Sequence, residues 1–312
     1  MATPFPINES LTAIALAYRN EALIADMVLP RVGVATEAFK YYKYNKDEAF
    51  TVPDTKIGRK SEANVVEFGG TEVTDSTVDY GLKDAVPMSD LRNAAGTPFD
   101  PLGQASANTT RLVMLDREVR VAGIVFNASN YGASNKATLS GTSQWSDYTN
   151  SNPLDAMLQA FDSMLMRPNK LVLGQAVWTK LRQHPRIVEA VKGTGAGLSA
   201  QGTVTRQQVA DLLEIQEVLV GQGFVNTAKK GATAAYSRVW GKFAAAIYTE
   251  PVTSTKVTTF GFTAESGGGL RVRDWFDEKV GADGAQWVQV VDTAKEVLPA
   301  NDLGYLWSAA VA

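Results

Sequence analysis

"FKYYKYNKDEAFTVPDTKIGRKSE" runs from Phe39 to Glu62, and its reading decides the fold. The aromatics and Val favour a pleated backbone. The same stretch is dense in charge and poor in aliphatic side chains. A lone domain gains little from a long strand it cannot bury. The segment therefore needs something to pack against.

Its return arm is "ANVVEFGGTEVTDSTVDYGL", Ala63 to Leu82, with "PDTKIGRKSE" between the two. Together they read as a long β-hairpin with ragged pairing, and Gly69-Gly70 suggests a bulge or bend. Arms of some 15 residues would reach on the order of 50 Å. The charges are sorted along it. Lys40, Lys43, Lys46, Lys56, Arg59 and Lys60 face only Asp47, Glu48 and Asp54 on the first arm. Glu62, Glu67, Glu72, Asp75, Asp79 and Asp84 face only Lys83 on the second. Two readings stand: a solvated ribbon of mixed charge, or a ribbon laid across a neighbouring subunit. On the second, Lys40, Lys43, Lys56, Arg59, Lys60, Glu62, Glu67, Glu72, Asp75 and Asp79 are the candidate interface residues.

Before the hairpin, residues 1–34 read as an arm with one short helix. Ser10 is its candidate N-cap, Leu16, Leu23 and Met27 its stripe, and Pro30 its stop. After the hairpin, Asp100 followed by Pro101 is a helix start: a capping carboxylate, then a proline whose missing N–H costs nothing there. Leu112, Leu115, Val119, Ala122 and Phe126 recur at spacings of three and four. They predict the buried face of a long helix. Asp116 and Arg120 are spaced to pair outside it. Residues 127–152 are loop by composition. From Asn152 short strands alternate with helices, which predicts a compact mixed α/β layer. The end of the chain returns to strands, including "GGLRVRDWFDE", "AQWVQVVDTAKEVL" and "GYLWSAAVA".

The composition is that of a globular protein: 312 residues, 45% hydrophobic, 20% charged, net charge −3. That charge argues against a broadly basic surface that coats nucleic acid. There is no cysteine, so disulfides and thiolate metal sites are excluded. No secretory signal opens the chain, and no apolar run is long enough to span a membrane.

One histidine, His184 in "RQHPR", would have to carry any Ser-His-Asp arrangement. Its place before a proline reads as a helix end. "GTGAGLSAQG" has Leu198 where a dinucleotide fingerprint needs its third glycine, and it follows a helix, so it reads as a loop. No phosphate loop, nucleophile elbow or metalloprotease motif is present. Carboxylates are plentiful, but their spacing singles out no metal site. The expectation is no catalytic residue, no metal and no cofactor.

The order of parts is arm, long charged hairpin, long helix, α/β unit, returning strands. It resembles the major capsid protein of tailed bacteriophages, an α+β chain of the Hong Kong 97-like fold. The phrases "ALIADMVLPRVGV", "VEFGGTEVT", "YGLKDAVP", "LDREVRVA" and "GYLWSAA" are similar to the siphophage and Mu-like prophage head branch. The resemblance implies an N-terminal arm over residues 1–35 and an extended loop over 36–95 that lies on the adjacent subunit. It implies a peripheral domain with the spine helix over 96–152 and an axial domain over 153–240. Returning strands of both domains would fill 241–312.

The resemblance further implies self-assembly into hexamers and pentamers of an icosahedral head around double-stranded DNA, contacted without sequence specificity. The protein would belong to the virion and assemble in the bacterial host cytoplasm, with no membrane. Because Met1 leads straight into the arm, a separate scaffolding protein is expected, with a portal, and a decoration protein as a further candidate partner. The same fold also builds encapsulin-like compartments, which is the alternative. Lys56 and Lys60 match no cross-linking partner.

Overall fold

The computed structural model describes residues 23–44, 51–66, 69–96, 99–193, 195, 197–229, 231–250 and 254–312. Ser10, Leu16, Lys46, Asp47, Glu48 and Glu67 lie outside the described residues. From Leu23 the chain enters a single helical turn, α1 (Ala25–Val28), then β1 (Arg31–Val34) and β2 (Ala38–Tyr44). It returns through β3 (Gly70–Ser76), β4 (Val78–Pro87) and α2 (Met88–Ala94). The long helix α3 (Pro101–Val125) follows, and Asp100 caps it by accepting the Leu102 N–H at 3.1 Å.

The rest of the chain builds β5 (Lys136–Thr138), α4 (Pro153–Ser163), β6 (Lys170–Gly174), α5 (Gln175–Leu181) and α6 (Pro185–Lys192). Then come α7 (Arg206–Leu213), β7 (Glu217–Gly221), β8 (Phe224–Asn226), β9 (Tyr236–Arg238) and β10 (Ala244–Ile247). Finally there are β11 (Phe262–Asp277), β12 (Ala285–Val297) and β13 (Gly304–Ser308). Asn152 caps α4, and Thr205 with Gln208 forms a capping box on α7.

Two sheets organise these elements. The first has the order β5-β13-β10-β6-β7, the second β1-β11-β12-β4. In the first, β6 and β7 are parallel and joined through helices. Leu171, Leu173, Val218 and Val220 bury one face beneath Met157, Phe161, Ile187, Val209 and Leu213 of the helices. Val172, Leu219, Ala245 and Leu306 bury the other against Val28, Val121 and Val125. Gly174 and Gly221 end neighbouring strands in register. A Cβ at Gly221 would lie 2.0 Å from the Trp240 ring, so that indole requires glycine there.

The buried face of α3 differs from the one its leucines predict. Leu112 is 54% exposed, Val119 is exposed and Leu115 half-buried; of the predicted stripe Ala122 is buried, and Phe126 packs edge-on to Trp240. One buried ridge runs in steps of four, Ala105, Thr109, Val113, Arg117, Val121 and Val125, with Ser106, Thr110, Glu118 and Ala122 buried beside it. The first half of this ridge packs on Val272, Val288 and Val290 of the second sheet, and the second half on the first sheet. The inward face mixes small and β-branched residues with Arg117 and Glu118, whose charged groups are met by Asp26, the Ile24 and Ala25 N–H groups and Trp240.

The hairpin also differs. Among the described residues its paired arms are the seven residues of β2 and β3, Ala38↔Ser76 to Tyr44↔Gly70, a paired length of about 23 Å. Phe39 and Tyr41 are buried on this chain's own Val32, Phe262, Ala264 and Val297. Val78 to Pro87 leaves the ribbon and pairs with β12 over ten residues as the edge of the second sheet. The base of the ribbon is thus packed on its own body.

Candidate subunit interface

Beyond that base, residues 51–66 form no regular strand, and every one of them is exposed. Val52 is 90% exposed, Val65 89% and Ile57 57%; Val66 is exposed as well. Local bonds shape the segment without covering it. Asp54 accepts the Lys56 N–H at 2.9 Å, and Asn64 donates to the Asp54 carbonyl at 2.7 Å. Ser61 N–H reaches the Gly58 carbonyl at 3.0 Å. Lys56, Arg59, Lys60 and Glu62 stand on this segment, exposed, with no ion pair among the described residues.

The charges at the base are committed within the chain. Lys40 pairs with Glu72, which also accepts from Tyr42 Oη at 3.0 Å. These two neighbours hold the Glu72 carboxyl below its ordinary value. Asp75 lies 3.7 Å from Lys295, and Asp79 lies 3.8 Å from Arg271 and accepts from Thr293. Lys43 is exposed. Of the ten candidates, the structure gives Lys40, Glu72, Asp75 and Asp79 partners in the same subunit. It leaves Lys43, Lys56, Arg59, Lys60 and Glu62 facing solvent, and Glu67 is outside the described residues.

The outer face of α3 is another exposed apolar surface: Leu112 and Val119 with half-buried Leu115, flanked by Asp116. The four exposed aliphatics of residues 51–66 were absent from the sequence-based candidates. Their signal was present, as valines and an isoleucine in a Pro- and Gly-punctuated segment with no period to bury them.

Between the two sheets, charged residues do structural work on the inner side of α3. Glu118 is fully buried and accepts from the Ile24 N–H (3.0 and 3.1 Å), the Ala25 N–H (2.8 Å) and Trp240 Nε1. Burial pushes its carboxyl above the ordinary value, against the pull of those donors. Arg117 reaches Asp26 at 2.8 Å and Thr263 Oγ1 at 3.2 Å. Arg31 grips buried Asp292 with two bonds, 2.8 and 3.0 Å. Arg120 meets Asp116 at 3.1 Å, as its spacing predicts. It also binds Glu296 at 2.8 and 2.9 Å and lies 3.5 Å over the Tyr80 ring. The end of the arm is thereby clasped to the long helix and to the second sheet.

His184 is the N-cap of α6, the start of a helix rather than the end of one. Its Nδ1 accepts the Arg186 N–H at 3.2 Å, so Nε2 carries the ring hydrogen and donates to Ser151 Oγ at 3.0 Å. Ser151 in turn donates to the Asp147 carbonyl at 2.6 Å. An imidazole in this tautomer cannot take a proton from Ser151. Burial, with Arg186 nearby, pulls its pKa down to about 4.

These parts assemble as arm, ribbon with an exposed tip, long helix between two sheets, and an α/β unit threaded by the last strand. That is the Hong Kong 97-like capsid fold, of α+β class. The family model described as Phage major capsid protein E matches residues 125–228. The major capsid protein of Pseudomonas phage JBD67 is 47% identical over 311 residues, 99% of this chain and 98% of that one. That of Burkholderia phage BcepMu is 25% identical, covering 97% and 96%. The crystal structure of a phage-related protein from Bordetella bronchiseptica RB50 is 26% identical, with a TM-score of 0.75 over 99% and 98% of the two chains. The capsid structure of cyanophage P-SCSP1u, at 10% identity, shares the fold with a TM-score of 0.62 over 95% and 90%. The chain belongs to the phage major capsid proteins. Its role is structural, as a virion component built into a shell from many copies.

Proposed function

We propose that the subunits form hexamers and pentamers of an icosahedral head, and that residues 51–66 lie on the adjacent subunit. The observation that carries this reading is the apolar exposure of that segment: Val52, Ile57, Val65 and Val66 are left exposed by the described residues of the chain. Burying each such side chain is worth about 1.5–3 kcal/mol, more than an exposed ion pair at about 0–1 kcal/mol. Aliphatic contact therefore drives docking, and Lys56, Arg59 and Lys60 orient it.

In this scheme residues 1–35 are the arm, 36–95 the extended loop with its attachment, 96–152 the peripheral domain and 153–240 the axial domain. Residues 241–312 return strands to both. Double-stranded DNA fills the head without sequence-specific contacts, since a net charge of −3 gives no general attraction to phosphate. A scaffolding protein, a portal and a decoration protein are the expected partners, assembly takes place in the host cytoplasm, and the subunit does no catalysis. The encapsulin-like alternative is the weaker reading, because the 47% identical relative is a phage major capsid protein.

Electron microscopy of the purified protein tests the proposal. Closed shells are expected from the wild type. Val52→Ser, Ile57→Ser and Val65→Ser together should abolish them without changing the melting of the free subunit. A chain that stays monomeric under all assembly conditions would overturn the reading.

A further inference from the structure

Two faces of the unit built on the five-stranded sheet are uncovered, and they complement each other. β8 and β9 form a two-stranded ribbon outside both large sheets. Such ribbons are marginal alone in water. This one is latched: Asn226 Oδ1 accepts from the Ala228 N–H at 3.1 Å and the Ala235 N–H at 2.9 Å. The register Phe224↔Arg238 and Asn226↔Tyr236 puts these four residues on one face. Tyr236 is 73% exposed, and exposed Phe224 lies 4.4 Å under the Arg238 guanidinium. From Gln222 to Val239 there is no acidic residue, while the sequence carries Lys229, Lys230 and Arg238.

The outer face of α4 and the residues just after it are the reverse. Asp155, Leu158, Gln159, Asp162 and Leu165 are exposed at helical spacings, and no lysine or arginine occurs from Pro153 to Met166. The foot of the ribbon and α4 lie on opposite sides of the sheet. α4 covers the side of Leu171 and Leu173. The foot of the ribbon, Gly223, adjoins Leu23 at the end of the arm, whose next residue Ile24 packs on the other side. Opposite charge and the placement of the two elements favour a head-to-tail contact, the kind that builds a ring when its rotation closes.

We propose that the aromatic, basic face of β8–β9 docks on the acidic, leucine-bearing face of α4 in a second copy of this chain. The contact rests on the shell reading above and assigns it a specific pair of surfaces.

The chain has no cysteine, so an engineered pair reports this contact alone. Tyr236→Cys with Leu158→Cys, assembled and then oxidised, should give a disulfide ladder that continues past the dimer. Either single variant should give none. Shells that form without the ladder overturn the proposal and leave the shell reading standing, as does a dimer band alone. Should the double variant fail to assemble, charge exchange decides. Lys229→Glu with Arg238→Glu should lose shells, and adding Asp155→Lys and Asp162→Lys should restore them. No restoration, with the melting temperature unchanged, overturns the contact. A wild-type chain that forms no particles at all overturns both readings.

Discussion

Leu171 in β6 and Val65 in the irregular segment 51–66 are both aliphatic residues, yet the first is wholly enclosed and the second is 89% exposed. The five-stranded sheet satisfies its side chains within one chain, on both faces. The ribbon satisfies only its base there, through Phe39 and Tyr41, and carries the rest outward. An apolar side chain therefore does not say whose core it serves. On the proposed reading, the aliphatic run of residues 51–66, with neither a strand partner among the described residues nor a helical period, is buried on assembly.

Substitutions that separate folding from assembly would sharpen or break this contrast. The largest effect on the subunit itself is expected at Glu118. Glu118→Ala leaves the Ile24 and Ala25 N–H groups and the Trp240 indole without their acceptor, at a cost of about 3 kcal/mol or more. Urea unfolding of the unassembled subunit measures it, and a loss below about 1 kcal/mol would show that the clasp is not holding the arm.

Next comes Val125→Ala, which hollows a site with no exposure and should cost about 2 kcal/mol. Leu112→Ala should cost under about 0.5 kcal/mol in the free subunit while impairing assembly. Equal destabilisation by the two would restore the leucine stripe as core.

A smaller effect is expected from His184, and only in acid. Its folded value of about 4 lies below the ordinary 6.5. The unfolded chain then binds the proton first, so stability is full above pH 6.5 and falls as pH drops toward 4. Glu118 has the opposite sign: its raised carboxyl contributes fully below the ordinary 4.5, and that contribution is lost as pH rises through the raised value. His184→Asn keeps a capping side chain for Arg186 and removes the titration. Thermal melting should lose its slope between pH 4 and 6.5; an unchanged slope would assign it elsewhere.

The smallest effect on the subunit belongs to the ribbon charges. Lys56→Glu, Arg59→Glu and Lys60→Glu together should leave its melting temperature nearly unchanged, because exposed pairs are worth about 0–1 kcal/mol. Sedimentation should show fewer shells, and full assembly at low salt would make these charges mere solvation.

Much of the fold is legible from local chemistry. Asp100-Pro101 and Asn152-Pro153 mark helix starts because capping depends on neighbours in the chain, whereas Thr203 and Thr205 are equal candidates from sequence and the structure selects Thr205. The α/β alternation is legible for the same reason. The inner face of α3 is not. Arg117 and Glu118 are buried because groups more than 80 residues away in the chain meet them, Ile24 and Leu29 among them. A helical period cannot announce such partners. Among the interface candidates, Lys40 and Glu72 found each other across the ribbon, which charge sorting alone does not distinguish from a contact between subunits.

The long helix also has a consequence for how the subunit comes apart. Its 25 residues span about 37 Å. Ala105 and Val113 belong to one hydrophobic cluster, and Val121, Ala122 and Val125 to another. Neither sheet can melt without stripping half a helix of its packing, and a bare half-helix is too short to persist in water. The two sheets therefore form one cooperative unit, and calorimetry of the free subunit should record a single heat-absorption peak although the molecule is built around two large sheets.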